Sequence, residues 1–183
     1  MPNNSSSGLT NQLTDRQNLM KKLADYKITS DSETIKTEVV CPTDTNPMGL
    51  LQGGRLVQWM DIAAAVCAQT HAGKICVTAC INDVDFNNSA KIGDVINITA
   101  NVTRAFSTSM EVFVRAFARK ILTGKKYLIS EAYFTFVALD KNEKAVPVIG
   151  VKPVTPMEKE LYDLALRRRV EKKISRKTLN IST

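Results

Sequence analysis

GGRLVQWMDIAAAVCAQTHAG, residues 53–73, is the most helical stretch of the chain. Leu56, Met60, Ala63, Ala64 and Cys67 recur at the spacing that puts side chains on one helix face. The pair Gly53 and Gly54 opens the stretch, and Gly73 offers a left-handed stop. One long helix with one apolar face is predicted.

Before the helix, residues 34–40 alternate as a strand does, and the turn-forming run Pro42, Thr43, Asp44, Thr45, Asn46, Pro47 ends them. After it come four strand signals, at 75–86, 94–104, 109–119 and 126–140. In the second, Ile96, Ile98, Ala100 and Val102 alternate with Asn97, Thr99, Asn101 and Thr103, the pattern of a strand with one buried face. Short connections at 105–108 and at Thr123 and Gly124 imply hairpins, since parallel strands need crossovers of about a dozen residues or more. The sheet should therefore be antiparallel, and the class α+β.

Residues 1–10 are rich in Asn, Ser and Gly and read as disordered, and Leu13, Met20 and Leu23 in the stretch to Tyr26 read as a short helix. Pro147, Pro153 and Pro156 mark a linker, and 158–174 reads as a basic helix. The expected division is a flexible N-terminus and short helix over 1–30, one domain over 31–155, and a basic helix and tail over 156–183. There is no internal repeat.

The formal net charge is +7 in 183 residues, but seven bases against one acid between Arg167 and Lys177 carry six of those charges. A near-neutral body with a basic tail fits a local phosphate contact or a solvated helix better than a nucleic-acid groove, which needs a basic face with aromatic platforms. No run approaches the about 18 apolar residues of a membrane span, and MPNNSSSG has none of the basic and apolar regions of a signal peptide, so a cytoplasmic location is expected. Cys41, Cys67, Cys76 and Cys80 show no CxxC spacing and read as buried, reduced thiols, with Cys76 and Cys80 on one strand face. His71 is the single histidine, so no metal site of recognised spacing is expected.

A Ser-His-Asp or Cys-His machine could use only His71, and there is no GxSxG elbow, Walker loop or dinucleotide glycine pattern. Asp61 stands out inside the apolar WMDIAAAVCA, because burying an ionised carboxylate costs several kcal/mol unless it is paired. Two readings of Asp61 remain open: a functional carboxylate, or an aspartate favoured by the helix dipole on the polar face beside Arg55 and Gln58. Asn46 likewise reads as a turn residue before Pro47 or as a site residue. The Gly53 and Gly54 amides at the helix start suit either a plain N-terminus or an oxyanion site.

Taken in order, TNPMGLLQGGRLVQWMDIAAAVCAQTHAG, VTACINDVDF, VTRAFSTSMEV and AYFTFVALD resemble the cytosolic acyl-coenzyme A thioester hydrolases, and the likeness continues into KPVTPMEKELYDLALRRRVEK. Within that family they look most like the branch containing cytosolic acetyl-coenzyme A hydrolase. The resemblance implies a hot-dog fold, a five-stranded antiparallel sheet wrapped around one long helix, and an acyl-coenzyme A substrate with no added cofactor. It also implies an active site shared across a homodimer, with Asn46 from the loop and Asp61 from the facing helix as the catalytic pair and Gly54 holding the carbonyl. A trimer of dimers is further implied. By the same resemblance Gly53, Ala79, Cys80, Ile81, Thr108, Ser109, Met110 and Arg169 would contact coenzyme A, while Arg168 and Lys172 read as solvated. Gln52 departs from the family by replacing a histidine found before the glycine pair in many members.

Three rivals are set against this reading. A hot-dog dehydratase would want a histidine near the carbonyl site, whereas His71 lies at the helix's far end. A non-catalytic coenzyme A or nucleotide sensor would bind without releasing thiol, and a nucleic-acid module would bind DNA in a salt-dependent way.

Overall fold

The computed structural model describes residues 26–181, with side chains to 174. Strand β1 (Tyr26–Ile28) leads through a 3₁₀ turn into β2 (Thr34–Val39), and a second 3₁₀ turn at Pro42–Asp44 precedes helix α1 (Gly53–Ala72). Then follow β3 (Ile75–Phe86), β4 (Val95–Ala105), β5 (Ser109–Arg119), β6 (Lys126–Leu139), β7 (Gly150–Lys152) and helix α2 (Pro156–Ile181). The five long strands form one antiparallel sheet in the order β2-β4-β5-β6-β3.

Helix α1 lies where its sequence pattern puts it. Leu56, Met60, Ala63, Ala64, Cys67 and Ala68 are all buried against the sheet, where they meet Ile96, Ile98, Val112, Val114, Phe134 and Phe136. The small side chains at 63, 64 and 68 let the sheet wrap closely, and larger ones there would overpack the core at a cost of about 1–3 kcal/mol. Gly73 ends the helix in the left-handed conformation (φ 62°), and its N–H bonds the Gln69 carbonyl. Lys27 Nζ donates to the carbonyls of Thr70 and His71 and places a cation on the negative end of the helix dipole.

The outer face of the sheet is also covered. Thr155 caps α2 by accepting from the Glu158 N–H while the Glu158 carboxylate accepts from the Thr155 and Val154 N–H groups, the capping box written as TPME. Arg168 then reaches Glu111 on β5 through two bonds, Nη2 to Oε1 at 2.7 Å and Nε to Oε2 at 3.1 Å, and its guanidinium lies 3.7 Å from the Tyr133 ring centre. Thr103 Oγ1 donates to the same carboxylate at 2.7 Å, so this largely buried charge is fully partnered.

Five expectations need correction. Arg168 and Lys172 are not solvated: Arg168 is bound as above, and Lys172 Nζ packs on Cys80 and Asn82. Cys76 and Cys80 do not share a face, because a bulge leaves Ala79 unpaired, so Cys76 sits opposite Ala138 and Cys80 opposite Thr135. Of the four thiols only Cys67 and Cys76 are buried; Cys80 is half-buried and Cys41 exposed. The linker around the prolines contains β7, which pairs in parallel with β1. Tyr26 is in that pairing and not in a helix, and the rest of the expected N-terminal helix lies outside the described residues.

His71 is fully buried, with Nε2 at 3.0 Å from the Ile149 carbonyl and Nδ1 at 3.4 Å from Ser32 Oγ. Burial holds its pKa below the ordinary imidazole value of 6.5, despite the Ile149 contact, which acts the other way. The unfolded chain thus binds the proton more readily than the folded one, and this group's contribution to stability falls as pH drops below about 6.5. Urea melts from pH 7.5 to 5 should show that loss, and His71→Gln should flatten it; an unchanged slope in the variant would assign the effect elsewhere.

Candidate active site

Asp61 lies two turns into α1, half-buried, and accepts a 2.8 Å bond from Thr78 Oγ1 on β3. Thr78 takes a strand position opposite the buried Phe136, so its hydroxyl faces the helix. An alkyl side chain there would leave the carboxylate without this partner. Thr78 does not stand out in the sequence; the available signal was a hydroxyl at a helix-facing position between the apolar Val77 and Ala79.

Asn46 sits in the loop before α1. Its Oδ1 accepts from the Met48 N–H at 3.0 Å and the Leu50 N–H at 3.2 Å, and its own N–H and C=O bond Leu50 and Gly49. Both readings of Asn46 are therefore compatible with one geometry: the oxygen ties the turn and the amide NH₂ is left as a donor. Asp44, read only as a turn residue, is buried and takes bonds from Arg55 Nε at 2.8 Å and the Cys41 N–H at 2.9 Å. It fastens the loop to the first turn of the helix.

At the start of α1 no side chain caps the backbone, since Gln52 Nε2 turns away to the Thr45 carbonyl. Nothing lies within 4 Å of where a Gly54 Cβ would be, so its face is open. Gly53 is different: a Cβ there would stand 3.1 Å from the Phe86 ring. Its glycine makes room for Phe86, and both residues border a hollow of about 370 Å³ that also reaches Asn46 and Leu56. Asp61 is seven residues beyond Gly54, about 10 Å along the axis at about 1.5 Å per residue, and does not border this hollow.

Between α2 and the outer face of the sheet runs a cleft of about 250 Å³ bordered by Ala79, Cys80, Ser109, Arg168, Arg169 and Lys172, among others. Arg169 Nη1 donates to Ser109 Oγ at 3.0 Å and its guanidinium stacks 3.9 Å from the Phe106 ring centre. The fold thus brings Ala79, Cys80, Ser109 and Arg169 together. It does not bring Ile81, Thr108 or Met110 into that cleft: Met110 is fully buried in the core, and Ile81 faces the core opposite Phe134.

Residues 48–125 match the thioesterase superfamily. An uncharacterised acyl-CoA thioester hydrolase of Bacillus subtilis is 38% identical over 143 residues, which are 78% of this chain and 83% of that protein. The chain belongs to the thioesterase superfamily. Its fold is the hot dog, a sheet wrapped around α1, as the sequence led one to expect. Among solved structures, an apo-hexameric acyl-CoA thioesterase is 40% identical, with a TM-score of 0.80 over 82% of this chain and 96% of the other. An acyl-CoA hydrolase from Staphylococcus aureus, solved with butyryl coenzyme A, coenzyme A and coenzyme A disulfide, is 37% identical, with a TM-score of 0.77 over 85% of this chain and 98% of the other. Variants of that enzyme with an asparagine, an aspartate or a threonine changed to alanine have also been solved. This thioesterase-superfamily chain spans only a quarter of the length of the mouse acetyl-coenzyme A thioesterase, with which it shares 38% identity. Among the described residues, no helix is long and apolar enough to cross a membrane.

Proposed function

We propose that the chain hydrolyses acyl-coenzyme A to a carboxylic acid and coenzyme A, at sites built between two copies. The observation that carries this is the axial separation on α1. The open amides at Gly54 can hold an oxyanion and Asp61 can activate water, but about 10 Å lies between them in one chain, too far for one reacting carbon. A second, antiparallel α1 alongside brings the Asp61 of one copy to the helix start of the other. Ile62, Val66, Ile75 and Val77, on the outward face of α1 and on β3, the last strand of the described sheet, are large exposed hydrophobics suited to that contact.

In the resulting site the thioester oxygen accepts from the Gly54 N–H at the positive end of the helix, and the Asn46 amide donates to the carbonyl or the water. Asp61, steadied by Thr78, removes the proton from the attacking water, and the tetrahedral intermediate collapses by expelling the coenzyme A thiolate. The asparagine, aspartate and threonine changed in the Staphylococcus aureus enzyme are fifteen and seventeen residues apart, the spacing of Asn46, Asp61 and Thr78 here. This supports the assignment. Arg169 in the outer cleft is placed to take coenzyme A phosphate, with the pantetheine passing Ala79 and Cys80. The hexamer formed by a solved relative supports homo-oligomers, and a trimer of dimers, for this chain too.

Thiol release from a panel of acyl-coenzyme A esters tests the reaction, and subunit mixing tests the site. Asp61→Asn and Asn46→Ala should each be inactive alone. Co-refolded in equal amounts they should recover about a quarter of wild-type activity, because half the dimers are mixed and each mixed dimer holds one intact site. A mixture as inactive as its parents would place the site within one chain. Binding of coenzyme A without thiol release from any ester would favour the sensor.

A further inference from the structure

Cys80 differs from the other described thiols. Burial pushes the Cys67 thiol up to about 12 and keeps it neutral, Cys76 is buried, and the exposed Cys41 donates to the Val39 carbonyl. Cys80 borders the outer cleft, and Lys172 Nζ on α2 stands 2.6 Å from its Sγ. Sulfur is larger than oxygen, yet this separation is shorter than the about 2.7–3.2 Å of an ordinary N–H···O bond. It is also too wide for a direct sulfur–nitrogen bond and fits one interposed atom. Asn82 Oδ1 holds both partners, Sγ at 3.0 Å and Nζ at 2.9 Å, so a long, flexible lysine stem is pinned with its amine on the thiol.

We propose that Cys80 and Lys172 form a reversible, peroxide-made Sγ–O–Nζ bridge that ties α2 to β3 across the cleft. One hydrogen peroxide converts the thiol to sulfenic acid: the S–O bond forms, the peroxide O–O bond breaks, and one water leaves. A second peroxide oxidises the amine, whose ammonium proton passes to solvent, as the sulfenic oxygen bonds to nitrogen. The sulfenic proton and one amine proton leave with the peroxide oxygens as two waters. Sulfur and nitrogen give up two electrons each, and the two peroxides accept four. Two equivalents of a dithiol return thiol, amine and one water.

The test uses the full chain treated with hydrogen peroxide and read by intact mass and by peptide mapping. The expected product gains one oxygen and loses two hydrogens, joins the peptides holding Cys80 and Lys172, and reverts with dithiothreitol. Cys80→Ser and Lys172→Gln should each abolish it. A joined pair with no added oxygen, or Cys80 carried to sulfinic acid while Lys172 stays free, would overturn the proposal. The mass is readable whether or not the chain turns over thioesters, so failure of the bridge and failure of the proposed activity are separate results. Where that activity holds, bridging removes the Lys172 charge from the cleft and should raise KM for acyl-coenzyme A several-fold.

Discussion

Asp61→Asn should lower kcat for acyl-coenzyme A hydrolysis by about 10²–10⁴-fold, the usual worth of a positioned general base, with KM little changed. The amide is isosteric and can still meet Thr78 Oγ1, so helix α1 and the oligomer should persist. Circular dichroism and sedimentation would check that. Thr78→Val gives the companion result. It keeps shape but removes the 2.8 Å bond to the carboxylate, and hydrogen bonds to charged groups contribute about 1.5–3 kcal/mol, so about a 10- to 100-fold fall is expected. Full activity of Asp61→Asn in a folded oligomer would remove Asp61 from the mechanism.

Glu111→Ala should be the most damaging change for stability among the polar residues described. Arg168 and Glu111 form a two-bond pair whose side chains are only 20% and 7% exposed, and Thr103 adds a third bond to the carboxylate. Removing the anion takes from a guanidinium stacked on Tyr133 the partner of both its side-chain bonds to β5, and breaking a buried pair in this way costs about 3–5 kcal/mol. Chemical denaturation should register that loss. Replacing both partners by hydrophobic residues, Glu111→Leu with Arg168→Met, should recover most of it, since an apolar pair carries no desolvation penalty. A loss below about 1 kcal/mol in Glu111→Ala would mean that α2 is held mainly by its apolar contacts.

The core of the fold was legible because it rests on local periodicity. Helix α1 follows from the apolar spacing of Leu56 to Cys67, with a glycine at each end, and the hairpins follow from short turns between alternating strands. What escaped was what depends on distant pairing. Arg168 and Lys172 look solvated in a basic run, and only their partners Glu111, Cys80 and Asn82, far back in the chain, show otherwise. The bulge at Ala79, which turns Cys80 away from the core, leaves no mark in an apolar strand. At the candidate site Asp61 was visible as a charge among small apolar residues, whereas Thr78 was not, because a threonine is ordinary in a strand.

The strand order carries a consequence for how the chain is made. Among the described residues β3 pairs in the sheet with β6 alone, which ends at Leu139, and β2 waits for β4. Synthesis from the N-terminus therefore delivers α1 and β3 well before β6 is there to pair with β3. During translation, Ile75, Cys76 and Val77 stay unpaired until the β4–β5–β6 meander emerges, a slow, non-local closure of the kind that exposes nascent chains to aggregation. Ribosome pausing within residues 87–125 would lengthen that exposure, and a holding chaperone would have its greatest effect there.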